Sequence, residues 1–436
     1  MASKPGENGG AERWIYSVLP VSLATGPLST LIQLHLISLN GPSLGVIYAG
    51  LAVSAFNGVS IPAAMFWGYT TDRLHSRRAI VAASYGLMGI TLLALLLFSD
   101  TVGTITVYSA FAFISAAAAT PLNLLIMETE SRSTWADAFA KLSLMSSVGN
   151  VGGLILSTVW AQALPIALLS IPLGGFALLS AALAFTTIRN PSFAFERETI
   201  ARREQSLFSR LLSLPLLFLN IPRISDFRRV FRGLRYGLTS YVPLFYISTI
   251  LFYLASGIFN TSFVPALSGF SLSSGEVFAV ILVGSFIQML TFRYAGKYVR
   301  VRPLASSSVQ SLLLRGGSYV LTGVFALLLG GPLFVVPALV LYPLGAGVAY
   351  AVYYTSSNTM MFNTVQVRSP GTALGVYSAV VGFATLAGSL ASGFISVLAG
   401  FHVTFISAGI ILLVAAAVVA RLPGRNEPNK SALPQN

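Results

Sequence analysis

Between Arg13 and Asp72 the chain carries no charged side chain, an uninterrupted run over residues 14–71. Further charge-free runs cover 101–127, 142–188, 236–275, 316–367 and 369–420. A helix needs roughly 20 apolar residues to cross a bilayer. In hydrocarbon each backbone N–H and C=O must find its partner inside the protein, which leaves helices as the economical solution. The longer runs are therefore read as pairs of spans joined by a short uncharged turn. Composition agrees. Only 9% of the 436 residues are charged and 55% are hydrophobic, with mean hydropathy +0.78. A soluble protein carries about 25% charged residues.

The turns show as clusters of helix breakers: "NGPSLG" (40–45), "SDTVG" (99–103), "LP" (164–165), "SGFSLSSG" (268–275), "GGP" (330–332) and "AGF" (399–401). Six hairpins give twelve spans, expected at 14–38, 45–69, 79–98, 103–127, 139–162, 165–188, 238–266, 275–293, 304–329, 332–357, 371–398 and 401–420. The expected organisation is an N-terminal tail (1–13), a six-helix bundle (14–188), a linker (189–237), a second six-helix bundle (238–420) and a C-terminal tail (421–436). No small-residue cleavage site follows the first apolar run, so that run is read as a retained span, not a signal peptide. The chain has no cysteine, which excludes disulfides and thiol catalysis.

The net charge of +13 is not that of a nucleic-acid binder, because of where the charge lies. With twelve spans, 25 of the 26 Lys and Arg fall in the tails, in one set of loops or at the helix ends beside them, and the remaining one is Arg315. The other set of turns holds only Asp100 and Glu276. Lys and Arg are retained on the cytoplasmic side, so both termini are expected inside a cell membrane crossed many times. The excess positive charge would meet anionic lipid headgroups. The linker carries ten arginines and four acids. Within it, "SDFRRVFRGLRYG" places Phe227, Val230, Phe231 and Leu234 on one helical face and Arg228, Arg229, Arg232 and Arg235 around the other. Such a helix lies on a membrane surface.

The halves look duplicated. "RSTWADAFAKLSLMSSVGNVGG" from Arg132 lies on "RSPGTALGVYSAVVGFATLAGS" from Arg368 without gaps, each with a glycine 20 positions after the arginine. Transporters are often built from such repeats, with the substrate path at their interface. The stretch "WGYTTDRLHSRR" (67–78) lies in an expected loop between two spans. It resembles the loop signature of the major facilitator superfamily, Gly-x-x-x-Asp-Arg/Lys-x-Gly-x-Arg/Lys-Arg/Lys, through Gly68, Asp72, Arg73, Arg77 and Arg78, with His75 and Ser76 as departures. The 6+6 division and "RSPGTALG" extend the resemblance over nearly the whole chain. It implies an all-α membrane protein of that fold, working mostly as a monomer. It also implies a cytoplasmic gate of Gly68, Asp72, Arg73, Arg77 and Arg78, in which Asp72 accepts from an arginine or from N–H groups of a nearby helix start when the inner face shuts, with Glu128, Arg132 and Arg368 as further partners; alternatively Arg77 and Arg78 only hold the topology. Gly68 would allow a close helix approach there.

In that superfamily spans 1, 4, 7 and 10 line the central path. Here each carries a polar stripe at helical spacing. Span 1 has Ser22, Thr25, Ser29 and Gln33; span 4 has Thr120 and Asn123; span 7 has Tyr246, Thr249, Tyr253, Ser256 and Asn260; span 10 has Tyr342, Tyr350, Tyr353 and Ser357. Pro20 and Pro27 are expected to bend span 1. Two ionisable residues lie within spans. His35 either carries a coupling proton or is simply hydrogen-bonded near the outer end. Arg315 either snorkels to the inner surface or turns inward as a fixed cation for an anionic substrate. No Asp or Glu lies deep in a span, no nucleotide-binding loop is present, and no metal-ligand cluster or catalytic triad appears. The expectation is a secondary transporter for a small neutral or weakly anionic organic solute, without a cofactor and not an enzyme. Multidrug efflux and a non-transporting sensor or scaffold are the alternatives.

Overall fold

The computed structural model describes residues 13–74, 76–98, 100–129, 135–188, 241–364 and 370–422. The linker with its amphipathic segment, the C-terminal tail beyond Leu422, and Arg132 and Arg368 lie outside the described residues. Those described form helices and connections with no strand. In order they are α1 (Val18–Thr25), α2 (Leu28–Leu74), α3 (Arg77–Ala94), α4 (Thr101–Thr129), α5 (Trp135–Ala163), α6 (Ser170–Thr187), α7 (Tyr241–Gly269), α8 (Ser274–Arg300), α9 (Leu304–Leu328), α10 (Val335–Tyr342), α11 (Tyr350–Thr364) and α12 (Pro370–Ala420). A π-helical segment, Pro343–Ala349, joins α10 to α11.

Two of these helices are each two spans. Gly41 in α2 and Gly400 in α12 have φ of 74° and 86°, a left-handed conformation that glycine adopts without a side-chain clash. The chain turns back at both. Eight residues of continuous helix would separate two side chains by about 12 Å. Instead, Ser396 and Thr404 hydroxyls lie 3.1 Å apart across Gly400. Likewise, a Cβ on Gly45 would sit 2.6 Å from the Cα of Ile37 across Gly41. Span 1 is broken at Gly26–Pro27, between α1 and α2, while Pro20 is accommodated inside α1. Gly26 keeps helical φ and ψ, and its N–H still reaches Ser22 O at 2.9 Å.

Polar side chains inside the spans mostly bond to carbonyls of their own helix. Thr249 reaches Phe245 O at 2.9 Å, Ser256 reaches Phe252 O at 2.7 Å, and Thr322 reaches Ser318 O at 2.7 Å. This disposes of a hydroxyl without water, at the cost of a possible substrate contact. A second set ties helices together. Ser262 on α7 meets Ser392 and Ser396 on α12, and Ser392 donates to Ile258 O at 2.7 Å.

The helices pack through glycines, because apolar burial gives no preference for a neighbouring helix over lipid. In the first half, a Cβ on Gly152 would come within 2.9 Å of the Leu23 side chain, so α5 lies hard against α1. In the second half, a Cβ on Gly388 would come within 3.0 Å of the Leu254 carbonyl carbon, so α12 lies hard against α7. The internal repeat superposes Gly388 on Gly152, which meets only the end of the Leu23 side chain; the backbone contact that matches Gly388 is made one position on by Gly153, whose Cβ would fall 2.9 Å from the Leu23 carbonyl carbon. The halves meet where α5 packs on α8 and α2 on α12. Near the charge-poor face a Cβ on Gly50 would fall 3.2 Å from the Cα of Gly393, and one on Gly275 would fall 3.1 Å from the Gln162 side chain. Toward the charge-rich face, Trp67 turns to its own half and donates to Phe113 O at 2.8 Å.

Gly388→Ala is expected to cost about 1–3 kcal/mol, because the new methyl meets backbone that cannot rotate away. Gly317→Ala in α9 meets nothing within 4 Å. It is expected to gain about 0.5–1 kcal/mol through helix propensity. Thermal unfolding of both variants in detergent, side by side, checks the pair. Equal melting temperatures would contradict the packing described here.

Candidate functional site

Arg315 stands midway along α9, and the structure decides between its two expected fates. It does not snorkel. Only 1% of its surface is exposed, and it points into the second half among aromatic rings. Its guanidinium carbon lies 4.8 Å from the Phe252 ring centre, 5.2 Å from Tyr319 and 5.2 Å from Tyr350. Nε donates to the Tyr319 hydroxyl at 2.8 Å, the side chain one helical turn on. Nη1 is buried and has no hydrogen-bond partner among the described residues.

The rings that hold it are themselves fixed. Tyr319 stacks on Phe259 at 3.5 Å with planes 4° apart, and Phe252 stacks on Tyr353 at 3.8 Å. Phe263 stacks on Tyr342 at 4.4 Å, extending the ladder toward the charge-poor face. Aromatic faces carry negative charge density and attract a cation. Phe252, Tyr319 and Tyr350 face the guanidinium and are backed by Phe259, Tyr342 and Tyr353; the polar stripes pointed to Tyr342, Tyr350 and Tyr353 but not to Phe252, Phe259 or Tyr319. The available signal was Phe252 and Phe259 at a spacing of seven, one face of α7, opposite an arginine in α9.

The stripe expected on α7 divides in two. Thr249 and Ser256 are buried on their own carbonyls, as above. Tyr246 and Tyr253 are half-buried and Asn260 is exposed, again at a spacing of seven. This second face belongs to a helix that touches both α2 and α12 at the seam. On span 10, Tyr350 is half-buried, whereas Tyr353 is 1% exposed and spends its ring on Phe252. Tyr353 is thus a wall of the cage in this state, not a surface open to solvent.

In the first half, Gln33 is 3% exposed and its Nε2 donates to Ser29 at 3.1 Å. Its Oε1 is buried without a partner among the described residues. Asn123 in α4 is exposed. His35 is half-buried six residues before the Gly41 turn, and Ser38 donates to its carbonyl at 2.7 Å.

At the charge-rich face, Asp72 and Arg73 fall in the last turn of α2 and Glu128 in the last turn of α4. Arg77 is 5% exposed, and its Nη1 donates to Thr71 O at 2.6 Å. A cation is thereby placed on the carbonyl end of α2, where the helix dipole favours it. Arg78 lies over the Phe185 ring of α6 at 3.8 Å. Both arginines are docked inside the first half. A Cβ on Gly68 would meet nothing within 4 Å among the described residues.

No curated protein matches the chain in sequence. Solved structures share its fold. The human organic anion transporter aligns at 18% identity over 95% of this chain and 100% of its own, with a TM-score of 0.59. A D-xylose–proton symporter aligns at 12% identity over 95% and 97%, with a TM-score of 0.63. A bacterial homologue of the human lysosomal transporter Spinster, in an inward-facing and occupied conformation, aligns at 15% identity over 96% and 97%, with a TM-score of 0.64. The sequence model of the Major Facilitator Superfamily matches residues 15–368 and again 314–436. With that match across almost the entire chain, and with two helical halves that meet along a seam, the protein is a member of the Major Facilitator Superfamily.

Proposed function

We propose that the chain is a secondary transporter that carries a small neutral or weakly anionic organic solute across the cell membrane by alternating access. The observation that carries this reading is the seam. Glycines bring the halves together near the charge-poor face, while Tyr246, Tyr253 and Asn260 offer hydroxyl and amide groups on the seam helix α7. Sealing one face while polar groups remain reachable is what one end state of a rocking carrier requires. The solute cavity is assigned to Gln33, Asn123, Tyr246, Tyr253, Asn260, Tyr350 and Tyr353, with Arg315 behind the last two. Aromatic walls and single polar groups suit a small organic molecule. Structures of the same fold carry names ranging from a sugar–proton symporter to an organic anion transporter, which brackets this class.

The gate is assigned to the charge-rich face. Asp72 and Arg73, with Glu128, Arg132 and Arg368, pair when that face closes and separate when it opens. The difference in pairing biases the equilibrium between the two states. Arg77 and Arg78 brace the first half beneath the gate through Thr71 and Phe185. The open space around Gly68 is what a closing helix would enter. His35 is the candidate for a coupling proton, the protein acts as a monomer, and both termini face the cytoplasm.

Counterflow into proteoliposomes, screened with a mixture of labelled metabolites, is expected to reveal at least one accumulated solute. Complete lack of flux would favour the sensor or scaffold reading. For the solute found, Tyr253→Ala and Asp72→Asn are each expected to lower the initial rate by roughly tenfold, a loss of about 1.4 kcal/mol. Gly68→Val is expected to keep the melting temperature while slowing flux, because its side chain obstructs only the closed gate. The chain lacks cysteine, so orientation can be read from single introduced thiols. Asp100→Cys is expected to react with an impermeant maleimide added outside cells, and Lys297→Cys is expected to react only after the cells are opened. The reverse pattern would invert the topology.

A further inference from the structure

Arg315 poses a charge-balance problem that its own half of the protein cannot solve. From residue 227 to residue 426 the sequence contains a single acid, Glu276. That carboxylate is occupied at the other end of the bundle. It closes a capping box at the start of α8, accepting from Ser273 N at 2.7 Å and from the Ser273 hydroxyl at 2.8 Å. The acids of the first half from Asp72 onward lie at helix ends or in connections. A buried guanidinium with no carboxylate is costly. Insertion measurements place an arginine at mid-bilayer about 2.5–3.5 kcal/mol above water. The three ring faces offset part of this, by roughly 0.5–2 kcal/mol each. They do not accept the remaining N–H groups.

The geometry points to a ligand that supplies the missing charge. We propose that Arg315 is the anion anchor of the transport site and takes the carboxylate of an organic monoanion on its unpartnered Nη1, which is buried in this structure and is reached when Tyr350 moves aside, with the apolar body of that anion against Phe252, Tyr350 and Tyr353. The proposal rests on the transporter reading of the same site and narrows its substrate class. Tyr319 is a positioning residue. Stacked on Phe259, it holds Nε and so fixes the plane of the guanidinium. Tyr350 is the movable wall. It is half-buried, and it directly follows the π-helical segment Pro343–Ala349, a local register fault of the kind often found at functional sites.

The charge of the ligand follows from the count of cations. One guanidinium compensates one negative charge. A dianion such as a phosphate monoester would bring an unmatched charge among ring faces that are already electron-rich. A neutral solute can accept from Nη1 through a carbonyl or hydroxyl oxygen but leaves the positive charge unmatched. A monocarboxylate with an aromatic or branched apolar body satisfies both the donor and the rings, through a charge-assisted bond.

The test uses the full-length protein purified in detergent, with benzoate, the neutral isostere benzamide, inorganic phosphate and chloride as probes. Benzoate is expected to raise the melting temperature in a dose-dependent way, while benzamide, phosphate and chloride at equal ionic strength do not. Arg315→Met is expected to weaken the benzoate response by roughly tenfold to a hundredfold in apparent Kd, the value of one or two charge-assisted bonds. Without probe, Arg315→Met is expected to melt at or above the temperature of the unaltered protein, because it removes an uncompensated charge. Arg315→Lys, which keeps the charge, is expected to retain part of the response. The proposal is overturned if benzamide or chloride stabilises as well as benzoate, if no probe stabilises, or if Arg315→Met responds normally. It is equally overturned if Arg315→Met melts lower or fails to fold, since the guanidinium is then a structural element of the cage. Counterflow separates this outcome from failure of the transporter reading. Flux of a neutral solute that survives Arg315→Met keeps the transporter and removes the anion site. Benzoate binding without flux of any solute does the opposite.

Discussion

The whole architecture follows from a medium that offers no hydrogen bonds. In hydrocarbon a hydroxyl or an amide must be satisfied from within, and a charge must be matched or excluded. The chain meets the first demand locally. Thr249, Ser256 and Thr322 return their protons to the preceding turn of their own helices. It meets the second by keeping acids and bases at helix ends, where Arg77 can cap a helix and Arg78 can cover a phenyl ring. Only Arg315 stands against this pattern, and it is the residue around which the second half arranges its rings.

With polar groups disposed of in this way, helix association depends on how closely backbones can approach. The two halves solve this alike. Gly153 brings α5 onto the α1 backbone, and Gly388 brings α12 onto the α7 backbone. The same device then seals the seam through Gly50, Gly275 and Gly393. Small residues make such interfaces tight without making them adhesive, because no large apolar area is taken from water. An interface of this kind can be opened and remade, as a rocking carrier requires.

Much of the fold was legible because charge and chain reversal leave marks in a membrane sequence. The expected breaker clusters contain all the positive-φ residues among those described: Gly41, Ser271, Gly331 and Gly400. The repeat beginning at Arg132 and Arg368 superposed Gly152 on Gly388, but the glycine that meets the Leu23 backbone as Gly388 meets the Leu254 backbone is Gly153, one position on. The tyrosines that span 10 gives to the cage were on the expected stripe, but its phenylalanines were not legible, for a physical reason. Lipid and protein interior are equally apolar, so a phenylalanine facing a neighbouring helix looks like one facing lipid. Periodicity put Thr249 and Ser256 on the same polar stripe as Tyr253, although their hydroxyls never leave the backbone. It also could not choose a direction for Arg315, since both snorkelling and inward burial use the same position.

If the protein rocks and seats an anion as proposed, the cation within α9 also ties it to the electrical field across the membrane. A unit charge moved through the full potential exchanges about 2.3 kcal/mol per 100 mV. With an anion seated on Arg315 the reorienting unit is neutral, and voltage has little to act upon. Without one, rocking displaces a net positive charge through part of the field. An interior-negative potential would then hold the unloaded carrier toward the cytoplasm and retard its return. The voltage would select which half of the cycle is slow, using one side chain in place of a gating apparatus.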